Sequence, residues 1–583
     1  MELHFTKGSR ARLLAMAMVA FMALFVFRLF YLQVIQHDYY VSQADSEQMK
    51  RFVLHAKRGE IYTMDAGTPN KLVMNEKVYT VWADPSVVTD RNAVVSALND
   101  IAGGNTRKNF SQYLDRTKTR YQVLATKVSR TQAEMLKTKK LAGIGFDEVS
   151  QRVYPEGSLA SQLLGFVDAE GNGKYGFEQA NDEQLKGKNG VLNTVTDVRD
   201  VPLTVGDKNV KVAPKNGSDI VLTIDRNIQS QTEKALAEGI ARSGATHASA
   251  IVMDPASGQV LAMANVPTYN PAELNQVTDP ALFNNDAISV PYEPGSDIKI
   301  FTVATGVDKG VIGPESTYNN TDYITVDDIT ISNASKGHTG TITMQYALNW
   351  SLNTGMVTVA QRLGNGTQIT RTARDAMYEY FHNRFRLGER TGIELANEAK
   401  GTIVPPEEAE GNAVRYSNMA FGQGMDATMM QVASGFCAIV NGGIYHTPTV
   451  IAGTVSEAGE FKAAALKQQF PGVVSAATSA TVREMVHQSH YATYKPQSTP
   501  EGYYIGGKTG TSQTIEKGKY VNDQTIGTYL GFGGEVGKTP RYVIMIDISA
   551  KGKALGGGAD AKPIFNDISN WLIDYLRLTP SAT

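Results

Sequence analysis

The chain has 583 residues, a formal net charge of -2 at pH 7, and 42% hydrophobic and 20% charged residues. That length exceeds what one hydrophobic core usually supports, so we expect an ordered globular protein with two or more domains. A net charge near zero argues against nucleic-acid binding. The single cysteine, Cys437, lies in an apolar run. We therefore expect it to be a buried core residue, and a thiol enzyme is disfavoured.

The first predicted element is an apolar stretch at 13–32, which has the ~20 residues that a helix needs to cross the hydrocarbon core of a membrane. Three basic residues precede this stretch, namely Lys7, Arg10 and Arg12. The positive-inside rule therefore predicts a cytoplasmic tail at 1–12 and a single-pass anchor in the plasma membrane, with the rest of the chain extracytoplasmic. Arg28 interrupts the apolar run near its outer end, where it either snorkels or contacts a partner helix. A cleaved signal peptide is the alternative, but the apolar core is long and no small-x-small cleavage site follows it.

Beyond the anchor, the composition changes near residue 217. Residues 33–217 are polar, with short strand-like runs and several glycine turns, which predicts an irregular α+β pedestal or dimerisation-type domain. Residues 218–578 are long enough for one large α/β catalytic domain, and residues 579–583 form a short tail.

Within the second domain, the patterns are stronger. An apolar run at 220–224 predicts a strand, and an amphipathic pattern at 226–242 predicts a helix. Two further apolar runs flank the turn-rich segment 254–258, which predicts a hairpin and the beginning of an antiparallel sheet.

The first candidate motif is Ser296-Asp-Ile-Lys299, which follows a Pro-Gly pair and opens a segment with apolar residues at helical spacing. Ser296 is therefore expected at a helix start, and Lys299 lies on the same helix face. Lys299 could take the serine proton if it were neutral, which burial and a nearby cation such as Lys508 would favour by lowering its pKa. The alternative is an N-cap serine next to a solvated lysine.

The second candidate motif, Ser351-Leu-Asn353, follows a helix-like stretch and is expected on a loop. A second hydroxyl could relay a proton between Lys299, Lys508 and a leaving amine, and the Asn353 amide could hold a peptide backbone. Ordinary turn chemistry is the alternative interpretation of this short motif.

The third candidate motif, Lys508-Thr509-Gly510-Thr511, lies in a strand candidate whose glycines leave room for the approach of another backbone. A free strand edge can receive an extended peptide, and the lysine and threonines suit a substrate carboxylate. Backbone amides of Ser296 and Thr511 could form an oxyanion hole. A surface hairpin with a solvated lysine is the alternative.

Taken in this order and spacing, the three motifs resemble those of the class B penicillin-binding proteins, which are monofunctional peptidoglycan transpeptidases. Further stretches that carry the resemblance are Leu222-Thr-Ile-Asp, Met253-Asp-Pro, Tyr292-Glu-Pro-Gly, Phe421-Gly-Gln-Gly and Asn441-Gly-Gly in the second domain, and Arg28-Leu-Phe-Tyr-Leu-Gln33, Arg58-Gly-Glu-Ile61, Arg152-Val-Tyr-Pro155 and Gly176-Phe-Glu178 before it. Residues 62–67 depart from the family pattern, which puts a pedestal contact in doubt.

The resemblance implies a transpeptidase domain of the penicillin-binding-protein and serine β-lactamase type, with an antiparallel sheet flanked by helices. It implies that Ser296 is acylated by a donor stem peptide ending in D-Ala-D-Ala. Lys299 would take the serine proton, and Ser351 and Lys508 would pass it to the leaving amine. The remaining expected roles are in substrate binding, for Asn353, Thr509, Gly510 and Thr511. β-Lactams would acylate Ser296 as inhibitors.

The resemblance implies no cofactor and no metal, and the histidines form no metalloprotease motif; His487 and His490 are expected on a solvated helical face. No region of glycosyltransferase size precedes the second domain, so the implied partners are a SEDS-type membrane glycosyltransferase and other divisome proteins. Segments 164–167 and 173–178 resemble the division type more than the elongation type.

Three other functions stay open on the sequence. An elongation-type transpeptidase would share every motif. A membrane-anchored β-lactamase or β-lactam sensor would share Ser296, Lys299 and the Lys-Thr-Gly strand, although the long pedestal argues against a free β-lactamase. A non-catalytic divisome scaffold would keep the anchor and pedestal, but the intact motifs argue against it.

Overall fold

The computed structural model describes residues 7–40, 49–195, 210–492, 499–516 and 519–581. The elements of the first part of the chain are, in order, α1 (Lys7–Phe30), β1 (Met49–Leu54), β2 (Ile61–Asp65), β3 (Thr68–Ala83), α2 (Arg91–Ala102), β4 (Gln122–Ser129), α3 (Arg130–Thr138), β5 (Ile144–Val153), α4 (Ser161–Leu164), β6 (Phe166–Val167), β7 (Gly173–Lys174), α5 (Gly176–Ala180), α6 (Asp182–Lys186), β8 (Gly190–Val195) and β9 (Val210–Val212).

The second part begins with the predicted strand, helix and hairpin. Its elements are β10 (Asp219–Asp225), α7 (Arg226–Ser243), β11 (His247–Met253), β12 (Val260–Val266), α8 (Asp286–Ser289), α9 (Lys299–Asp308), β13 (Thr317–Asn320), β14 (Tyr323–Val326), β15 (Ile329–Ser332), β16 (Gly340–Thr343), α10 (Met344–Asn349), α11 (Asn353–Arg362), α12 (Arg371–Tyr378), α13 (Ala413–Met419), α14 (Met429–Val440), β17 (Ile444–His446), β18 (Ile451–Val455), β19 (Phe461–Ala463), β20 (Gln469–Pro471), α15 (Ala476–Ala492), β21 (Tyr503–Glu516), β22 (Lys519–Glu535), β23 (Tyr542–Ser549) and α16 (Lys562–Tyr575).

Two compact units make up the chain. One comprises Met1–Arg58 and Lys186–Gly217, and the other comprises Gly59–Leu185 and Ser218–Thr583. The first unit contains α1 and a three-stranded antiparallel sheet in the order β1-β8-β9. Within the described ranges, one helix, Arg10–Ile35, is long and apolar enough to cross a membrane. It contains the apolar stretch that the sequence predicts as the anchor.

The second unit contains a seven-stranded sheet in the order β19-β18-β10-β2-β3-β4, with β5 paired to β3. Residues from both sides of position 217 share this sheet, because β10 pairs in parallel with β2. The domain boundary near 217 stays a prediction. In the departing segment 62–67, Asp65 accepts a hydrogen bond from Asn227 Nδ2 at 2.7 Å, so this stretch contacts the first turn of α7.

A buried ion pair joins three of the stretches that carry the family resemblance. Arg152 Nε lies 2.8 Å from Glu178 Oε1, and the two side chains are 5% and 0% exposed. Arg152 Nη1 also donates to Gly59 O at 2.7 Å and to Asn75 Oδ1 at 2.9 Å. Because the guanidinium is bonded at several points, this contact fixes β3, β5 and α5 relative to one another.

The sheet nearest the three motifs is five-stranded, antiparallel and ordered β12-β11-β23-β22-β21. Alternate residues of β23 enter two different cores, as a strand between two helical layers requires. Ile544, Ile546 and Ile548 pack with residues of α7 and α16, whereas Val543 and Met545 belong to the core that includes α9, α14 and α15. The predicted antiparallel sheet flanked by helices is observed, and Cys437 is buried in α14 as expected.

The prediction of a solvated face for His487 and His490 is wrong. Both lie on α15, which packs against β21, and His490 is 3% exposed. His490 Nδ1 lies 2.6 Å from Tyr529 Oη, and His487 Nδ1 lies 2.6 Å from Ile505 O. Burial lowers the pKa of His490 to about 3, so it is a neutral packing residue. The sequence pattern missed this because the histidines lie on the face that meets the sheet.

Candidate active site

Ser296 lies in a single 3-10 turn, Gly295–Ile298, which leads directly into α9. The turn is held from below, because Gly295 N donates to Gly422 O at 3.0 Å. The approach is close: a Cβ at Gly422 would lie 1.9 Å from Gly295 O, and Gly295 itself has a φ of +58°. Ser296 is half-buried and is placed at a helix start, where the sequence predicts it.

Lys299 is the first residue of α9 and is 1% exposed. Its Nζ donates to Ser351 O at 2.5 Å and to Ser351 Oγ at 3.0 Å. Burial lowers the pKa of Lys299 well below its ordinary value, and the positive charge of Lys508 adds to this effect. Because both effects favour the uncharged form, Lys299 is suited to accept a proton as a neutral amine.

Ser351 lies on the loop between α10 and α11, as expected, and its φ of +56° is in the left-handed region. Lys508 Nζ approaches the same hydroxyl from β21, donating to Ser351 Oγ at 2.9 Å and to Thr509 O at 2.8 Å. Burial lowers the pKa of Lys508 to about 8, against an opposing effect of the Asp297 charge. Ser351 Oγ therefore lies between two amines whose pKa values are both lowered.

The Lys-Thr-Gly segment lies on β21, which is an edge strand of the five-stranded sheet. The glycines of this strand do not have the role that the sequence pattern indicates. A Cβ at Gly510 would lie 2.2 Å from Thr528 Oγ1 and 3.0 Å from the Asp297 carboxylate oxygens, and one at Gly507 would lie 2.4 Å from Tyr529 Oη. The space that these glycines leave is occupied by side chains of the protein.

A cavity of about 490 Å³ opens between these elements. The predicted site residues that line it are Ser296, Lys299, Ser351, Asn353, Thr509 and Thr511. Lys508 reaches the cavity wall through Ser351, and Gly510 lies over the Asp297 carboxyl. The Asn353 amide donates to Ser332 O at 2.9 Å, which leaves its carbonyl oxygen as an acceptor.

The sequence patterns gave no role at the site to several residues that the structure places there. Asp297 and Thr528 form a buried hydrogen bond of 2.7 Å beneath the motif residues. Trp350, Phe421 and Gln423 add to the lining of the cavity. Asp297 lies inside the first motif, which was the available signal, but its partner is 231 positions away and only the fold brings them together.

Within the described parts of the chain, no group of three or more His, Cys, Asp and Glu side chains is arranged to hold a metal ion. The polar groups gathered at the cavity are hydroxyls, amines and amides. Such a set suits nucleophilic acyl transfer, in which one hydroxyl attacks and a neutral amine takes its proton.

Two protein families match this sequence. The penicillin binding protein transpeptidase domain matches residues 248–570, which is more than half of the chain, and the penicillin-binding protein dimerisation domain matches residues 53–222. Together with the site geometry, these matches define the class as a serine-type transpeptidase. The chain belongs to the penicillin-binding protein family, and the resemblance to its class B members is confirmed.

Relatives match along most of their length. Stage V sporulation protein D of Bacillus subtilis is 28% identical over an alignment that covers 95% of this chain and 83% of its own length. Peptidoglycan D,D-transpeptidase FtsI of Escherichia coli is 27% identical to 98% of this chain, over 93% of its own length. Penicillin binding protein 3 from Mycobacterium tuberculosis, solved in complex with aztreonam, has a TM-score of 0.67 at 25% identity and covers 91% of this chain and 100% of its own.

Proposed function

We propose that this protein is a peptidoglycan D,D-transpeptidase that cross-links stem peptides during septal cell-wall synthesis, through an acyl-enzyme on Ser296. The observation that carries the proposal is the position of Ser351 Oγ, 3.0 Å from Lys299 Nζ and 2.9 Å from Lys508 Nζ, beside the cavity that Ser296 lines. This arrangement supplies a nucleophile, a base and a proton relay in one place.

In acylation, Ser296 Oγ forms a bond to the carbonyl carbon of the penultimate D-Ala, and the bond from that carbon to the nitrogen of the terminal D-Ala breaks. Lys299 accepts the hydroxyl proton. A proton then passes through Ser351, with Lys508 as its neighbour, to the leaving amine. An acceptor amine next attacks the ester, the bond to Ser296 Oγ breaks, and the serine recovers a proton.

Three residues are assigned to the substrate. Thr509 and Thr511 hold the terminal carboxylate of the donor, and Asn353 orients its backbone. All three line the cavity, which supports this assignment. The amides of Ser296 and Thr511 stabilise the oxyanion, a donor arrangement whose single members are typically worth about 3 to 4 kcal/mol of barrier.

A β-lactam presents the same reactive carbonyl and carboxylate to this site. We propose that Ser296 attacks this carbonyl in the same way and forms an ester. The amine of the opened ring stays attached to the acyl group and cannot depart. The complexes of Mycobacterium tuberculosis penicillin binding protein 3 with aztreonam and with ampicillin support this assignment by analogy.

The helix at Arg10–Ile35 is assigned as a single-pass anchor with a cytoplasmic amino terminus, because basic residues precede it. The catalytic site is then extracytoplasmic, where peptidoglycan lies. Cross-linking needs glycan strands made by another enzyme, so we assign a SEDS-type membrane glycosyltransferase and further divisome proteins as partners. Arg28, in the last turn of α1, is the residue of the anchor most suited to a partner contact.

We prefer a role in division to one in elongation because of the segment between α4 and α5, which resembles the division type. Phe166 of this segment contacts the rings of Tyr175, Tyr269 and Phe283. This aromatic cluster holds the division-like segment 164–178 against the loop that follows β12.

The test is to incubate the full-length protein in detergent with a fluorescent penicillin and to follow the adduct by intact mass over hours. We expect one stable adduct, which is lost in Ser296→Ala. Ser335→Ala is the matched control, because Ser335 lines the same cavity but its hydroxyl bonds to His338. Rapid release of the adduct would indicate a β-lactamase, and the absence of any adduct would indicate a scaffold.

A further inference from the structure

Asp297 lies between the two residues of the first motif to which the mechanism assigns roles. Its side chain is 0% exposed, in the 3-10 turn that carries Ser296. Oδ2 accepts a hydrogen bond from Thr528 Oγ1 at 2.7 Å, whereas Oδ1 is buried with no hydrogen-bond partner in the described structure. A buried carboxyl that is only half satisfied costs stability, so its presence at this position calls for a functional reason.

The strand register shows what this carboxyl connects. Gly510 of β21 lies opposite Thr528 of β22, and Thr528 lies opposite Asp547 of β23. Cross-strand partners place their side chains on the same face, so the Asp297 carboxyl lies over a row that begins at the Lys-Thr-Gly segment. Because Gly510 has no Cβ, the carboxyl reaches Thr528 across that position. The turn of Ser296 is thereby bonded to the strand pair that carries Lys508.

Three charged or titratable groups interact with Asp297 directly, namely Lys508 on β21, Asp547 on β23 and Tyr292 in the loop before the turn. Two more are linked to it through these groups, Lys299 on α9 through Lys508 and Asp286 on α8 through Asp547. The cation among them that acts on the carboxyl is Lys508, which lowers its pKa, while burial raises that pKa to about 7. The Asp297 charge in turn raises the pKa of Lys508, against the effect of burial.

The other acidic groups of this set do not contribute to the pKa of Lys508. Burial raises the pKa of Asp547 to about 7, and the charges of Asp286 and Asp297 act in the same direction. Tyr292 Oη is buried without a hydrogen-bond partner in the described structure, and burial raises its pKa well above the ordinary value. Of these acidic groups, Asp297 is the one whose charge raises the pKa of Lys508, which contacts Ser351.

We propose that Asp297 is a positioning residue for acyl transfer. Its hydrogen bond to Thr528 ties the Ser296 turn to β22, and its carboxylate lies beside Gly510, two residues along β21 from Lys508, where a negative charge favours the ammonium form of that lysine. The inference rests on the proposed function, because it gives Lys508 the task of supplying charge and a proton beside Ser351. Asp297 transfers no proton to the substrate. It acts through two separate properties, a hydrogen bond to Thr528 and a negative charge near Lys508, and two substitutions separate them.

Asp297→Asn removes the charge and keeps an oxygen that can accept from Thr528, whereas Thr528→Val removes the hydrogen bond and keeps the charge. The experiment measures the second-order rate constant for acylation by a fluorescent penicillin from pH 5.5 to 10, on the full-length protein in detergent. In the native protein we expect the rate to fall as Lys508 loses its proton above about pH 8. In Asp297→Asn we expect this alkaline limb about one pH unit lower, because a nearby opposite charge typically shifts a pKa by about 1 to 3 units.

Thr528→Val is expected to leave the alkaline limb in place and to slow acylation by about 3- to 10-fold, the range that corresponds to one lost hydrogen bond. An alkaline limb that does not move in Asp297→Asn would overturn the inference, even if the rate fell, because a merely structural role changes the rate and leaves the limb. If Asp297→Asn does not fold, as judged by circular dichroism and thermal melting, Asp297→Ser removes the same charge and must move the limb in the same direction.

Two controls keep the failures apart. Asp375→Asn removes an exposed carboxylate from α12, which pairs with Arg371, and should leave both the rate and the limb unchanged. If the native protein forms no adduct that depends on Ser296 at any pH, the proposed function is contradicted, and this inference with it. If the native protein reacts normally and Asp297→Asn keeps the native limb, only the inference is contradicted.

Discussion

Buried charge is used in opposite ways at the Arg152–Glu178 pair and at the two lysines that contact Ser351. Arg152 and Glu178 have opposite charges and lie 2.8 Å apart, and Arg152 also donates hydrogen bonds to Gly59 O and Asn75 Oδ1. Lys299 and Lys508 carry charges of the same sign when both are protonated, and both donate to one hydroxyl, that of Ser351. The first arrangement pairs each buried charge with an opposite one, whereas in the second the charge of Lys508 penalises the charged form of Lys299.

In this fold, a reactive group among buried charges is recognised by a pKa shifted away from its ordinary value. A compensated pair costs stability when one member is removed, and the chemistry elsewhere does not change. Burial lowers the pKa of both lysines, and the charge of Lys508 lowers that of Lys299 further, which makes Lys299 the candidate base. The following predictions separate stability from rate.

The largest effect is expected for Lys299→Met, which keeps the buried volume and removes the base. Acylation by a fluorescent penicillin should slow by roughly 100- to 10,000-fold, the usual contribution of a general base. Lys309→Met, at an exposed position just after the last residue of α9, is the matched control and should react at the native rate. Acylation of Lys299→Met within threefold of the native rate would remove Lys299 from the mechanism.

Arg152→Met should lower the free energy of unfolding by about 3 to 5 kcal/mol, because it leaves the Glu178 carboxylate buried without its cation. Denaturant unfolding measures this loss, and the acylation rate per folded molecule should stay native. The control is Arg371→Met at an exposed ion pair, where we expect a much smaller loss of stability because solvent screens the pair. A folded Arg152→Met protein with a strongly reduced acylation rate would contradict the separation of the two regions.

Ser351→Ala should slow acylation by about 100-fold, since it removes the hydroxyl shared by the two lysines. Ser351→Gly is the companion variant, because glycine suits the φ of +56° at this position. Both variants should be slow. Recovery of the native rate in Ser351→Gly alone would show that backbone strain, and not the hydroxyl, limits Ser351→Ala.

The last prediction needs no substitution and concerns how the acylation rate of the native protein depends on pH. The pKa of Lys508 is lowered to about 8, so its ammonium is present below that pH and is lost as the pH rises through it. The acylation rate should therefore fall about tenfold per unit above pH 8, which a stopped-flow pH series measures. A rate that keeps rising to pH 10 would mean that the ammonium form of Lys508 is not required.

The sequence predicted the hairpin of β11 and β12, the anchor helix, the helix start at Ser296 and the edge position of β21. Local patterns suffice for these, because apolar periodicity, turn residues and motif spacing are all short-range. The sequence missed the buried face of α15 and the carboxyl beneath Gly510. Those features depend on packing between distant segments, such as Asp297 with Thr528, and no local pattern reports it.

The central claim is that Ser296 forms an acyl-enzyme with a donor peptide and expels its terminal D-Ala. The most direct measurement uses a stem-peptide analogue whose terminal D-Ala carries ¹³C, incubated with the full-length protein and an acceptor amine. We expect release of one labelled D-Ala for each cross-linked product and an acyl adduct that peptide mapping places on Ser296. In Ser296→Ala we expect neither product. Release of D-Ala at the native rate from Ser296→Ala, or an adduct on another residue, would contradict the claim.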